Sequence, residues 1–479
     1  MELTDGVGRR AGWSGLLVAL ALAGYLGWEL LHRSTYAYHL RMYTVSDADE
    51  WRYTACSRLV EHGYRLFSDV FSAQPPLLFV SLAIGMRATS DSILGARYVE
   101  IGWGAIAIIA VAVLGRELAG TFAGAVAGIA LVLAPGFLLY SHTVEAEVPM
   151  MALAALGLAL AAAATSRDSL TLALLGGLCL AAAVLTKLFA LEAVAPACWL
   201  LWSGRGVVSR RIQGIAILLA GVIVPVVVEF VSVARAQQWR QVVQMHEAAA
   251  KLHLPGAAGQ AAVLLHFALL NPILSMGAAV GFGWLVVQRR DNLAIFCALW
   301  ALGSVFMLVT FHPLFDHHTA ILLAPLALCV GLGAREIGGA LRYRHAVLAF
   351  LIAAAVALVG CTLVVRRLFV ASEPPNLVAL SFVVARPASP GELIAVDDLR
   401  IADASHRLVV PPLCDPSNVR LQSGYLTDSD AINATRQYHP EVVVSSFGLF
   451  RQLKGYTSWL ATHYDRRQEP QGAIVYIRR

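Results

Sequence analysis

Long apolar runs separated by short polar connections set the pattern of this chain. The first, residues 13–31, approaches the ~20 residues that carry a helix across a bilayer. Further runs at 96–118, 122–140, 148–164, 170–186, 188–202, 212–234, 272–287, 293–311, 319–334 and 346–365 bring the expectation to about eleven crossings. Lys187 marks the turn between the fifth and sixth runs, and the residues after 234 read as an outer loop to Leu270.

The polar stretch that follows the first run behaves differently. Within a loop spanning 32–95, Trp51, Ala55, Leu59 and Val60 recur at helical spacing and Gly63 is placed to stop the helix. This predicts an amphipathic helix lying on the membrane surface. Pro75 and Pro76 then break the chain before an apolar segment, 77–86, too short to cross and read as a second interfacial helix.

Positive charge orients these elements. Arg9 and Arg10 precede the first run, which puts the N-terminus in the cytoplasm and the loop outside; the run lacks a cleavage signal and reads as an uncleaved span. Arg116, Arg167, Arg205, Arg210, Arg211, Arg289, Arg290, Arg335, Arg342 and Arg344 all fall in connections this arrangement makes cytoplasmic. The reading is a multi-pass cell-membrane protein with its C-terminus outside.

After about residue 370 the pattern turns polar, with Pro374-Pro375, Pro390-Gly391 and Pro411-Pro412 as turn signals. The expected organisation is a membrane region, 1–370, and an extracytoplasmic domain, 371–479. Strands are predicted at 393–396, 442–444 and 474–477, and helices at 428–438 and 450–464, a small α/β layer. It carries no nucleotide-binding or hydrolase motif.

Composition narrows the class. Of 479 residues 58% are hydrophobic and only 14% charged, with mean hydropathy +0.67, as for an α-helical polytopic membrane protein. The net charge of +5 comes from topology-setting clusters, not one basic face, so nucleic acid is not an expected partner. None of the 7 cysteines has C-x-x-C spacing. Cys56 and Cys414 alone fall outside the predicted spans; a disulfide between them and two separate thiols are both open, with thiols the expectation.

Ionisable groups inside membrane runs are costly, so their depth is informative. Arg97, Glu100, Glu145, Glu147, Lys187, Glu192, Glu229, Asp316, His317 and His318 gather near the outer face, beneath Asp47, Asp49 and Glu50. A transporter would carry polar groups through the midplane. One polar site opening outward fits better.

In order, Asp49-Glu50, Gly63, Asp69, Pro75-Pro76-Leu77, Gly95-Ala96-Arg97, Glu147-Val148-Pro149, Leu185-Thr186-Lys187 and Asp316-His317-His318 form a series. This series resembles the C-type (GT-C) membrane glycosyltransferases, and more narrowly the protein mannosyltransferase and aminoarabinose transferase group, family 39-like. The resemblance implies an enzyme that moves a sugar from a polyprenyl-phosphate donor, with inversion, to an envelope glycan, lipid or protein on the outer face. It implies that Asp49 is the catalytic base and Glu147 the second acid. Glu50 would join the substrate site, with Arg97, Lys187, His317 and His318 at the lipid phosphate. Gln74 stands where aminoarabinose transferases have Lys, and Glu147 replaces a frequent Asp, so lipid A is not favoured over other acceptors.

Plainer roles compete. Asp49 and Asp47 suit helix caps, and Glu50, Glu145 and Glu147 suit first-turn acids. Lys187 and Arg97 suit side chains reaching back to the interface. A divalent cation at Asp316, His317 and His318 is disfavoured because adjacent helical residues point apart, and no cofactor is otherwise implied. The alternatives for the whole chain are a flippase for lipid-linked glycans and a non-catalytic envelope scaffold.

Overall fold

The computed structural model describes residues 48–89, 93–232, 235–252, 256–340, 375–388, 391–468 and 472–479. The expected spans at 13–31 and 346–365, with Asp47, Arg342 and Arg344, lie outside them. The described residues are mostly helical and fall into two compact units. One is formed by Glu100–Glu229 and the described part of Pro255–Val370; the other by the described parts of Ala37–Val99, Phe230–Leu254 and Ala371–Arg479.

The first unit is a membrane-type helical assembly. Among the described residues five helices are long and apolar enough to cross a bilayer: Ile93–Ala119, Glu147–Arg167, Val208–Val231, Asp291–Thr310 and Asp316–Gly338. Thr121–Val132, Leu170–Val184 and Leu188–Trp202 are shorter apolar helices. Glu147–Arg167 is the central element, 83% buried, while Val208–Val231 is 22% buried and shows Ile223, Val224, Val227 and Val228 outward. Water would not tolerate such a stripe; lipid does. Close helix approach uses glycine: a Cβ on Gly177 would meet the Leu218 carbonyl and Gly221 Cα.

One expectation is corrected here. Residues before Leu270 are not only loop: Ala258–Leu270 is an apolar helix that, with Pro272–Val287, makes a span bent by 93°, a sixth crossing if counted as one. Proline at the first position of the second helix supplies no N–H and stops the first. Asn271, 1% exposed, fills the corner: its side chain accepts from Gly136 N–H at 2.9 Å and donates to the Phe267 carbonyl at 3.0 Å.

The second unit is built on a five-stranded sheet of β1 (Leu393–Val396), β2 (Leu408–Val409), β3 (Val442–Ser445), β4 (Tyr464–Gln468) and β5 (Ile474–Arg478), in the order β2-β1-β3-β5-β4. β1 pairs parallel with β2 and β3, and β5 antiparallel with β3 and β4. Strands covered on both faces read as continuous apolar runs, as Val442, Val443 and Val444 do. Ala395 and Val443 face a core with Ala431, Ala434, Tyr456 and Leu460 from the helices Asp428–Tyr438 and Lys454–His463. The first of these helices opens with a capping box, Thr427 and Asp430.

At the carboxyl ends of β1 and β3, where strand order reverses and many open sheets bind ligands, Asp397 fills the crevice. It accepts from Ser445 Oγ at 2.8 Å and from the backbone N–H groups of Ser446 at 2.7 Å and Leu449 at 2.9 Å. Burial pushes its pKa up, opposed by the hydrogen bonds of Ser446, Ser445, Phe450 and Phe447.

Tyr464, at the start of β4, donates its hydroxyl to the Pro440 carbonyl at 3.0 Å. Burial pushes its pKa up to about 12, with Arg478 opposing and Glu441 adding. The unfolded phenol ionises near ~10, so the unfolded chain releases this proton first. The stability tied to it is complete below that pH and is lost as pH rises toward about 12. In an alkaline unfolding series the Tyr464→Phe chain should lose part of this pH dependence; an unchanged slope would exclude Tyr464 as its source.

The loop helix is the surprise of this unit. Ala48–Glu61 ends as expected at Gly63, which takes φ 90°, with Gly63 N–H donating to the Val60 carbonyl and Tyr64 N–H to that of Leu59. It does not present one polar face outward: Glu50, Trp51, Tyr53, Thr54, Cys56, Ser57, Arg58 and Leu59 are all buried. Polar side chains reach the α/β sheet region through Arg58–Asp403 at 2.8 Å, and Arg420 stacks 3.5 Å over the Phe71 ring. The polar face of this helix has protein partners in place of water.

Candidate active site

The second unit holds the first-turn acids of the loop helix. Asp49 is 8% exposed; Oδ1 lies 2.6 Å from Arg52 Nη2 and Oδ2 accepts from the Tyr53 hydroxyl at 3.2 Å. Both partners sit one helical turn on, at i+3 and i+4. Arg52 also lies 3.9 Å from Asp415. The clamp holds the carboxylate in one orientation, which a base needs more than raw basicity.

Glu50 points elsewhere. It is fully buried and takes a two-point hydrogen bond from Arg97, Nε to Oε1 at 2.8 Å and Nη2 to Oε2 at 2.9 Å. Fork-on-carboxylate pairing of this kind is strong and directional. Arg97 is 3% exposed, so it does not reach back to an interface.

The first unit holds a separate cluster. Glu147 opens the central helix Glu147–Arg167 and is fully buried. Lys187, at the N-terminal boundary of the 3₁₀ turn Leu188–Ala193, donates to Glu147 Oε1 and lies 5.0 Å from the Phe189 ring centre. It too is buried and paired, not snorkelling.

His317 and His318 lie on the 3₁₀ turn Asp316–Leu322. Contrary to the expectation that adjacent residues diverge, both rings reach Glu147: His317 Nε2 is 3.8 Å and His318 Nε2 3.9 Å from Oε1, and the ring centres are 4.4 Å apart. Phe315 packs against both rings, 5.7 Å from His317 and 5.5 Å from His318 between ring centres. Asp316 turns away, exposed and 3.4 Å from His266.

Ligand atoms of Glu147, His317 and His318 all lie within 4.8 Å of one another, near enough to share one cation. The Lys187 ammonium already holds the same carboxylate, so positive charge is supplied by the protein itself. Glu147 Oε2 accepts no hydrogen bond among the described residues.

Nearby in the same unit Glu192, 6% exposed, accepts from Trp300 Nε1 at 3.2 Å. Sequence reading missed Trp300, since no local spacing links it to Glu192. It also missed Arg52 and Tyr53, which helical spacing from Asp49 would have found.

Residues 73–228 match the model of the dolichyl-phosphate-mannose-protein mannosyltransferase family. Among curated proteins none matches the chain by sequence. Among solved structures the chain is similar to ArnT from Cupriavidus metallidurans bound to undecaprenyl phosphate, at 15% identity and a TM-score of 0.64, covering 97% of this chain and 98% of that one. The apo state of ArnT matches at 15% identity and TM-score 0.63, over 98% of each chain. The oligosaccharyltransferase AglB from Archaeoglobus fulgidus, in complex with an inhibitory peptide and a dolichol-phosphate, matches at 13% identity and TM-score 0.54, over 98% of this chain and 74% of that one. The likeness read from the ordered motifs therefore stands: this chain has the fold of the C-type membrane glycosyltransferases, and its residues 73–228 carry the signature of the protein mannosyltransferase family.

Proposed function

We propose that this protein is an integral-membrane, inverting glycosyltransferase that moves a sugar from a polyprenyl-phosphate donor to an acceptor on the extracytoplasmic face. The observation that carries the reading is Asp49, clamped by Arg52 and Tyr53 at the start of the loop helix, in a chain whose fold matches ArnT from end to end. That relative is described with undecaprenyl phosphate bound, and AglB with a dolichol-phosphate. Both ligands are polyprenyl phosphates.

Asp49 accepts the proton of an acceptor hydroxyl as that oxygen attacks the anomeric carbon, and the polyprenyl phosphate departs from the opposite side of the sugar. Lys187, His317 and His318 hold the phosphate as negative charge develops on it. Glu147 keeps these side chains together and leaves Oε2 as an acceptor for a substrate hydroxyl. The Glu50–Arg97 pair positions the helix that carries Asp49.

Topology belongs to the same proposal: about eleven crossings, N-terminus in the cytoplasm, residues 371–479 outside. Glu147–Arg167 supports it, since 21 residues rise about 30 Å, one hydrocarbon thickness. Its first residue belongs to the buried acid cluster. Its last, Arg167, pairs with Glu117 at 2.9 Å, beside Arg210 on Asp168 at 2.9 Å.

The test is transfer of radiolabelled sugar from a panel of polyprenyl-phosphate donors to an envelope extract by the purified full chain. Turnover with at least one donor is expected. Lipid-linked glycan crossing vesicle membranes without transfer would overturn the proposal in favour of a flippase. Within the assay, the neutral pair Glu147→Gln with Lys187→Met should fold and raise the donor KM roughly tenfold to a hundredfold, the worth of a charged hydrogen bond. An unchanged KM would remove Lys187 from phosphate binding.

A further inference from the structure

The Sγ atoms of Cys56 and Cys414 lie 2.7 Å apart. Cys56 sits midway along the loop helix and Cys414 directly follows the 3₁₀ turn Pro411–Leu413 beyond β2, 358 positions later in the chain. Both are buried, and both sulfurs face the Phe71 carbonyl, at 3.7 Å from Cys56 and 3.3 Å from Cys414. The backbone around them is held from both sides. Arg58 meets Asp403, and Arg420 donates to the carbonyls of Pro412 at 2.8 Å and Asp415 at 3.0 Å while stacking on Phe71. Closure into a covalent bond, about 2.0 Å between sulfurs, therefore needs little more than rotation of the two side chains.

We infer that Cys56 and Cys414 form a disulfide that staples the loop bearing Asp49 to the C-terminal α/β sheet. The inference rests on the outer-face placement proposed above, since disulfides persist in oxidising compartments. A thiolate of the pair attacks the disulfide of a thiol–disulfide exchange protein, and the second thiolate attacks the resulting mixed disulfide at this chain's sulfur and displaces the oxidant's thiolate. One S–S bond forms in the chain as one breaks in the oxidant, which receives both electrons and both thiol protons and leaves as a dithiol. Burial, and the neighbouring Cys414, push the Cys56 thiol pKa up, so the buried thiol attacks poorly. The bond accordingly forms before the loop docks, and burial then shields it from reduction.

The consequence for the site is orientation. Asp49 lies two helical turns before Cys56. A covalent anchor at the middle of the helix limits how far its first turn can move relative to Asp415, which lies 3.9 Å from Arg52 of the clamp.

The experiment uses the full-length protein in native membranes, with free thiols blocked by N-ethylmaleimide before tryptic digestion without reductant. The expected product joins residues 53–58 to residues 408–420, is lighter than the two peptides by two hydrogens, and separates on reduction. Both peptides recovered singly with maleimide attached would overturn the inference. Thermal unfolding gives a second readout: reductant should lower the Tm of the wild type and leave the Cys56→Ser, Cys414→Ser chain unchanged, and a wild type insensitive to reductant would also overturn it. Protease treatment of intact cells keeps the two claims apart. A C-terminal unit cleaved from outside while its thiols take maleimide disproves the disulfide and leaves the placement standing. A unit protected from protease refutes the placement and the disulfide with it.

Discussion

Asp49→Asn should cut sugar transfer about a hundredfold or more, which corresponds to roughly 2.7 kcal/mol of lost transition-state stabilisation. The amide keeps the shape of the side chain but cannot take a proton. Arg52, 2.6 Å away, loses one ionic partner and keeps Asp415 at 3.9 Å, while Tyr53 keeps an oxygen to donate to. The competing role is structural. Asp49 lies inside the first turn of Ala48–Glu61, where a negative charge is worth about 0.3–1 kcal/mol against the helix dipole. A loss of that size shifts Tm slightly and leaves kcat nearly intact below it. The deciding pair of measurements is therefore kcat and Tm on the same preparation, with donor KM as a control on binding. A hundredfold fall in kcat at nearly constant Tm supports the base. Equal turnover in both chains would take Asp49 out of the chemistry and move attention to Glu147.

The second large effect is expected on stability. Arg97→Met removes the two-point partner of Glu50, which has no exposed surface. Stripping one member from a buried ion pair costs about 3–5 kcal/mol, because the remaining carboxylate has given up both hydration and its ionic partner. The loop helix should loosen, with a fall in Tm and earlier proteolysis around residues 48–61. Adding Glu50→Leu should restore most of the loss, since an apolar pair of similar volume needs no charge compensation. Sequence resemblance assigns Arg97 to the lipid phosphate, and that role predicts the opposite profile: a raised donor KM with Tm unchanged. The two profiles do not overlap, so one thermal series and one donor titration separate them.

Three acids among the described residues are each held by a basic side chain. Asp49 is held by residues of its own helix, Glu50 by Arg97 and Glu147 by Lys187, with two histidine rings beside it. Each pair gives a buried carboxylate a charged hydrogen-bonding partner in place of water.

What the sequence determined by itself was whatever depends on neighbours along the chain. Apolar runs foretold Glu147–Arg167, Val208–Ser232 and Asp291–Thr310 to within a few residues, because helical length and hydropathy are local. Gly63 ended the loop helix where a left-handed residue was needed, and β1, β3 and β5 stand where short β-branched runs lie between turns. The ordered motifs singled out Glu147, Lys187, His317 and His318, and the last three do meet at Glu147. Tertiary structure alone decided the partners. No spacing along the chain links Glu50 to Arg97, Glu147 to Lys187, or Cys56 to Cys414, which are separated by 47, 40 and 358 positions. The same holds for the faces of Ala48–Glu61: its polar residues implied solvent, but Arg58 meets Asp403 instead. A side chain's polarity says only that it needs a partner, and whether water or protein supplies one is settled when distant segments pack.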